Sequence, residues 1–180
     1  MALKSTICKA ALDVADIERG HYAHYDLVLA RHPSETEERM MLRLAAFALH
    51  AGERLEFGRG VSNDDEAALW QRDHAGNIEL WMEVGLPDER RLRRASGRAA
   101  RVIVYAYGGV EPWWDKQGAA LARLPRLSVH AIAAREVEAL ALLADRSMRL
   151  QCTIQEGRLW LSDATRSVEI APHCLLQGEG

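Results

Sequence analysis

Apolar and polar side chains alternate along Ile78-Glu79-Leu80-Trp81-Met82-Glu83-Val84. Successive side chains of a strand point to opposite faces. The pattern predicts a strand with Ile78, Leu80, Met82 and Val84 on one wholly apolar face, and Glu79, Trp81 and Glu83 on the other. Two carboxylates on one face of an internal strand are costly to bury unless a divalent metal, arginines or water meets them. That need makes this strand the leading candidate for chemistry.

The surrounding pattern supplies the frame. Strand-like runs at 7–14 and 25–30, joined through Gly20, predict a hairpin. Ser34 as N-cap, with Glu37 three residues on, predicts a helix opened by a capping box after Pro33. Met41, Leu44, Ala45 and Ala48 form its buried stripe, and Gly52 ends it. Short strands are expected at 55–57 and 68–72, with a five-residue hairpin turn at 73–77 leading into the 78–84 strand. Pro87, Asp88 and Glu89 suit the first turn of a second helix. Then come a strand at 102–107 closed by Gly108-Gly109, a helix at 111–124, a strand at 127–132 and a helix at 135–144. A hairpin of 150–155 and 158–162 about a Glu156-Gly157 turn, and a strand at 167–171, complete the chain.

The strand–helix–strand steps imply parallel pairing and the hairpins antiparallel pairing. The fold class is therefore α/β, a mixed sheet flanked by helices, with N- and C-terminal hairpins as additions. At 180 residues, without an internal repeat or a linker, residues 1–180 are expected to form one domain.

Bulk properties narrow the functions. A net charge of −3 provides no global attraction for nucleic acid, so such a role needs a local patch. No run approaches the roughly eighteen apolar residues of a membrane span. The first residues carry no signal-peptide pattern, so a cytoplasmic protein without membrane association is expected. Cys8, Cys152 and Cys174 are far apart and form no Cys-x-x-Cys pair, which suggests neither a zinc site nor a disulfide framework. Cys8 and Cys152 fall in strand-like runs and read as buried, inert thiols.

A local basic patch is present. Arg90, Arg91, Arg93, Arg94, Arg98 and Arg101 are six arginines in twelve residues, directly after Glu83. Arginine suits bidentate phosphate contact. Three acidic sources face it in the chain: Glu79 and Glu83, Asp64-Asp65, and Glu37-Glu38. Hard divalent ions such as Mg²⁺ use one or two carboxylates with water and phosphate. Such a site can activate water against a phosphodiester. Each feature also has a plainer reading: Glu83 paired with a nearby arginine, Glu79 solvated, Asp64-Asp65 a polar turn, Glu37 a cap residue and the arginines a solvated face. Trp113-Trp114 reads as one ring in the core and one at the surface, with a stacking platform as the alternative. Trp81 reads as packed on the first helix. His21, His24 and His32 read as loop residues, and His130 as a core residue.

Longer runs carry a resemblance. Arg31-His32-Pro33-Ser34-Glu35-Thr36 running into Glu38-Arg39-Met40-Met41-Leu42-Arg43-Leu44 resembles the YaeQ family of bacterial proteins. So do Leu80-Trp81 with the run from Glu83 to Arg91, and Thr153-Ile154-Gln155 with Trp160-Leu161-Ser162-Asp163. The resemblance implies a compact α/β fold that varies the PD-(D/E)XK nuclease core, in the order helix, three strands, helix, strand. It implies Glu38, Asp65 and Glu83 as the acids, Glu79 as the rival for the second, and Asp65 with Glu83 as metal ligands for Mg²⁺ or Mn²⁺. The nuclease pattern places a lysine two residues after Glu83, and this chain has Gly85. Arg90 or Arg91 is then the candidate for the missing positive charge and for phosphate binding. Two functions follow. One is a magnesium-dependent nuclease or phosphodiesterase acting on nucleic acid. The other is a non-catalytic member of the fold that binds nucleic acid or a protein partner.

Overall fold

Turn chemistry sets the strand boundaries. Glu156 and Gly157 both take positive φ (53° and 72°), the two-residue turn whose twist matches that of flanking strands. In the 73–77 turn the Asp73 carboxylate accepts the Ala75 and Asn77 backbone N–H groups at 2.9 and 2.8 Å. The Asn77 side-chain amide, donating to the same carboxylate at 2.9 Å, leads these bonds in holding its pKa below the ordinary aspartate value.

The computed structural model describes residues 4–59 and 65–179. Its elements, in order, are β1 (Thr6–Asp16), β2 (His21–Arg31), α1 (Glu37–Leu49), β3 (Leu55–Phe57), β4 (Leu69–Arg72), β5 (Ile78–Val84), α2 (Glu89–Arg98), β6 (Ala99–Ala106), α3 (Val110–Leu121), β7 (Leu127–Ala131), α4 (Ala134–Ala141), β8 (Ser147–Gln155), β9 (Arg158–Ser162), β10 (Ser167–Ile170) and β11 (His173–Leu176). They fall into two compact units, one holding β1, β2, α1, α4 and β8–β10, the other the remaining elements.

In the first unit the terminal hairpins join each other. The five-stranded sheet runs β10-β9-β8-β1-β2, with β1 and β8 parallel and the other pairs antiparallel. Cys8, Ala10, Leu12 and Val14 alternate with exposed or half-buried residues, and Met148, Leu150, Cys152 and Ile154 do the same in β8. The hairpins thus form a sheet of their own rather than extending the other mixed sheet, and their shared apolar face gives them a core of their own. Cys8 and Cys152 lie in it, and burial pushes the Cys152 thiol up to about 12.

α1 starts two residues later than the Ser34 cap predicts. Thr36 is the N-cap, its side chain accepting the Arg39 N–H at 3.1 Å, while the Ser34 hydroxyl bonds His32 Nδ1 at 2.6 Å. The helix ends at Leu49 with His50 as C-cap, short of Gly52. Every residue from Met40 to Ala48 is buried, not only one stripe. A helix buried all round must satisfy any polar side chain internally, and Arg43 meets that condition. Its Nε and Nη2 reach the two carboxylate oxygens of Glu35 at 2.9 and 2.6 Å, and its Nη2 also reaches the Ala30 carbonyl at 3.2 Å. Arg39 binds the same carboxylate.

The second unit is the mixed sheet, ordered β11-β7-β6-β5-β4-β3. β5, β6 and β7 are parallel, joined through α2 and α3, and the outer strands are antiparallel. Trp81, Val102, Val104, Leu127 and Val129 share a core with Leu92 and Ala95 of α2 and with Trp113 and Leu121 of α3. Trp113 is buried and donates its indole N–H to the Pro87 carbonyl at 2.9 Å, while Trp114 is half-buried beside it. Pro87 itself precedes the α2 N-cap, Asp88. β11 is an element that no sequence pattern singled out.

Candidate functional site

β5 carries the expected two faces. On the face with the carboxylates, Trp81 is buried and meets Trp70 of β4 edge-on, ring centroids 5.7 Å apart. The Arg98 guanidinium lies 5.1 Å over the Trp81 ring, a cation–π contact from α2. Trp81 therefore belongs to the core beneath the second helix.

Glu83 is buried. Its Oε1 accepts the Trp81 indole N–H at 2.7 Å and the Arg91 Nε–H at 2.9 Å, and Arg91 Nη2 also lies 2.9 Å away. Asp88 caps α2 by accepting the Arg91 backbone N–H at 2.8 Å. One residue thus secures the helix start and, from the same turn, neutralises the strand. A buried carboxylate with one arginine and one neutral donor is a stable arrangement without further partners.

The other candidate acids go elsewhere. Four residues at about 3.3 Å each separate Glu79 from Glu83 by about 13 Å along the strand. Glu79 accepts from Arg54 Nη1 and Gln71 Nε2, both at 2.8 Å, and the Gln71 bond, with Arg54, lowers its pKa against partial desolvation. Asp65 is exposed and pairs with Arg94 Nη2 at 2.9 Å. Glu38 is half-buried on α1, in the other compact unit, and Asp64 falls outside the described residues. Among the described residues no group of three or more His, Cys, Asp or Glu side chains gathers where it could hold a metal ion.

The arginines divide by task. Arg91 Nη2 and Arg98 Nη1 reach the Glu66 and Asp65 carbonyls at 2.8 and 2.9 Å, so α2 ties down the segment before β4. Arg93 pairs with Glu89 one turn back. Arg90 is exposed and forms no ion pair among the described residues. With Asp88, Arg91 and Arg94 it lines a cleft of about 210 Å³.

Gly85 takes φ +113°, a backbone region that only glycine enters freely, and its N–H donates to the Tyr105 carbonyl at 3.0 Å. A Cβ there would meet nothing within 4 Å. The backbone, not crowding, reserves the position that the nuclease pattern gives to lysine.

Two polar clusters went unrecognised in the sequence. Glu35, just before α1, gathers buried Arg43 and half-buried Arg39 from the helix; the i, i+4 and i+8 spacing was the signal. His24 is a strand residue rather than a loop residue, held between Asp13 Oδ1 at 2.7 Å and Asp26 Oδ1 at 3.1 Å, which raise its pKa. His21 is likewise in β2, its Nε2 2.6 Å from the Tyr25 hydroxyl. His130 is half-buried and stacks on Tyr105 with centroids 5.6 Å apart, and desolvation lowers its pKa.

No helix among the described residues is long and apolar enough to cross a membrane. The YaeQ protein family model matches residues 1–172. An uncharacterised YaeQ protein of Salmonella typhi is 49% identical over 173 residues, 94% of this chain and 95% of that one. Its counterpart in Escherichia coli strain K12 is 46% identical over the same shares. The crystal structure of the YaeQ protein from Xanthomonas axonopodis pv. citri matches with a TM-score of 0.92 at 45% identity, covering 97% of this chain and 99% of that one. That from Pseudomonas syringae matches with a TM-score of 0.93 at 38% identity, covering 97% of both. A family match over nearly the whole chain, with relatives and structures this similar, leads to one conclusion: the chain belongs to the YaeQ family.

Proposed function

We propose that this protein is a non-catalytic member of the nuclease-like fold that binds the phosphodiester backbone of a nucleic acid through α2. The observation that carries the reading is the cleft of about 210 Å³ where Arg90, Arg91 and Arg94 face a single carboxylate, Asp88. Asp88 is engaged as the helix cap. Arg90, which forms no ion pair among the described residues, suits a phosphate by charge and by forked geometry, while Arg91 and Arg94, already paired with Glu83 and Asp65, add positive charge to the same cleft.

The state of the acids supports binding over hydrolysis. Glu83, Asp65 and Glu79 each hold an arginine, and the lysine position is a left-handed glycine. A magnesium-dependent nuclease requires Glu83 to leave Arg91 and a second carboxylate to join it. Arginine stays protonated and makes a poor general base in place of the lysine.

The test is fluorescence anisotropy with labelled single- and double-stranded oligonucleotides across salt concentrations, with and without Mg²⁺ or Mn²⁺. Binding is expected to weaken steeply with salt and to need no metal. Arg90→Glu should reduce affinity about tenfold for every sequence and flatten the salt slope by about one phosphate contact. Metal-dependent cleavage that disappears in Glu83→Gln would overturn the reading in favour of hydrolysis.

A further inference from the structure

β2 is the outermost strand of the five-stranded sheet, eleven residues long and paired along one edge only. Which of its backbone groups face the open edge follows from β1. The Lys9 and Ile17 N–H groups bond the Arg146 and Ile154 carbonyls, so odd-numbered β1 residues turn their backbone toward β8 and even-numbered ones toward β2. The β2 partners of those even residues are odd-numbered: Leu12 faces Tyr25 and Ala10 faces Leu27. Tyr22, His24, Asp26, Val28 and Ala30 therefore direct N–H and C=O outward. Arg43 meets the Ala30 carbonyl at 3.2 Å, consistent with that direction, and closes this end of the edge.

The same residues present their side chains on the sheet's open face. Tyr22 is 66% and Val28 58% exposed, and the side chains of His24 and Asp26 are 51% and 86% exposed. A strand edge of this length with exposed apolar groups is a template for another strand.

We propose that the occupant is a second copy of this chain, whose β2 adds antiparallel across a two-fold axis at Tyr25. In that register Tyr22 lies opposite the partner's Val28, and His24 opposite the partner's Asp26. Opposite charges meet, and each exposed aromatic ring covers an exposed β-branched side chain. Both are favourable cross-strand pairs. The four opposed pairs exchange about eight ladder hydrogen bonds. Asp13 of β1 stays on His24 Nδ1 and keeps the imidazole oriented, while Nε2, which lies 3.1 Å from Asp26 of its own strand, is shared with the partner's Asp26 across the seam. Neighbouring registers lose this match. A slip of two residues one way sets His24 against the partner's His24. The opposite slip sets Asp26 against the partner's Asp26 and runs Tyr22 onto the Ala30 end that Arg43 occupies. The contact is self-complementary, as a two-fold interface requires.

The test is sedimentation equilibrium of the full chain over a wide concentration range, joined to cross-linking. A dimer is expected, and Val28→Lys should raise its dissociation constant about tenfold or more while leaving the circular dichroism spectrum unchanged. In a Cys174→Ser background, a mixture of His24→Cys and Asp26→Cys proteins should be joined by a short bis-maleimide. Each variant alone should give several-fold less product. The proposal is overturned by a monomer at every concentration, by a dimer that Val28→Lys leaves intact, or by a mixture that cross-links no better than its components.

Discussion

The Arg91 guanidinium places both Nε and Nη2 2.9 Å from one oxygen of Glu83, the buried carboxylate of β5. Glu83 sits near the end of a central strand, and Arg91 is in the first turn of the helix that follows. The pair joins strand to helix at the turn where the chain reverses. Glu83 thus finds its ion-pair partner only eight residues away.

Removing one member leaves the other unmatched. Arg91→Ala should lower the unfolding free energy by about 3 kcal/mol, because an unpaired buried carboxylate remains. Glu83→Gln keeps an acceptor for Trp81 and should cost about half as much. Urea denaturation of both variants checks the order, which reverses if Arg91 contributes nothing to Glu83.

At Gly85 the backbone makes its own prediction. Gly85→Ala should cost about 1–3 kcal/mol by strain at φ +113°, although the added methyl meets open space. Gly85→Lys should cost a similar amount and confer no metal-dependent cleavage. Thermal denaturation and an oligonucleotide cleavage assay read the two outcomes.

A deeper pair joins α1 to the residue just before its N-cap. Glu35 and Arg43 are each almost fully buried and bidentate. Glu35→Ala should destabilise by about 3–5 kcal/mol. Replacing Glu35 and Arg43 together by apolar residues should recover much of that loss, which a double-mutant cycle in denaturant measures.

Asp16 sets an acid limit. Burial alone would raise its pKa, but the Arg19 side chain at 2.6 Å and the Arg19 backbone N–H at 3.0 Å outweigh it and hold the pKa below 3.8. A carboxylate depressed in the folded state adds stability above its unfolded pKa and loses it as pH falls through the folded value. Asp16→Asn should cost about 2 kcal/mol at pH 7. The deficit should shrink below pH 3.8, as a stability profile across the acid range would reveal.

His24 shifts the opposite way. The Asp13 hydrogen bond, then that of Asp26, raises its pKa above 6.5. The stabilisation is present below 6.5 and disappears as pH rises through the folded value. An NMR titration of the ring protons should show a midpoint above 6.5 that returns toward it in Asp13→Asn.

The local pattern revealed much of this protein. The period-two alternation in β5 identifies Trp81 and Glu83 as neighbours on one face, and the Trp81–Glu83 hydrogen bond confirms it. Glu156-Gly157 marks its hairpin because two consecutive positive φ angles suit few residues other than glycine and small polar ones. Periodicity predicted only a stripe on α1, yet the helix is buried all round, because a moment along one helix does not report how many layers will cover it.

By itself, then, the sequence determined the order of the elements as far as β10, the two faces of β5, the basic character of α2 and the family. Those depend on side-chain periodicity, turn residues and composition, all local properties of the chain. The tertiary structure alone decided that β1 lies parallel to β8, that β11 returns to β7, and which arginine meets each acid. Each joins groups through space. Glu79 reads as solvated in the sequence, and only the pairing of β4 with β5 and the placement of the residues before β3 brought Arg54 to it. Strand partners more than a hundred residues apart are chosen by which apolar faces can be buried together, a condition that no short window of sequence contains.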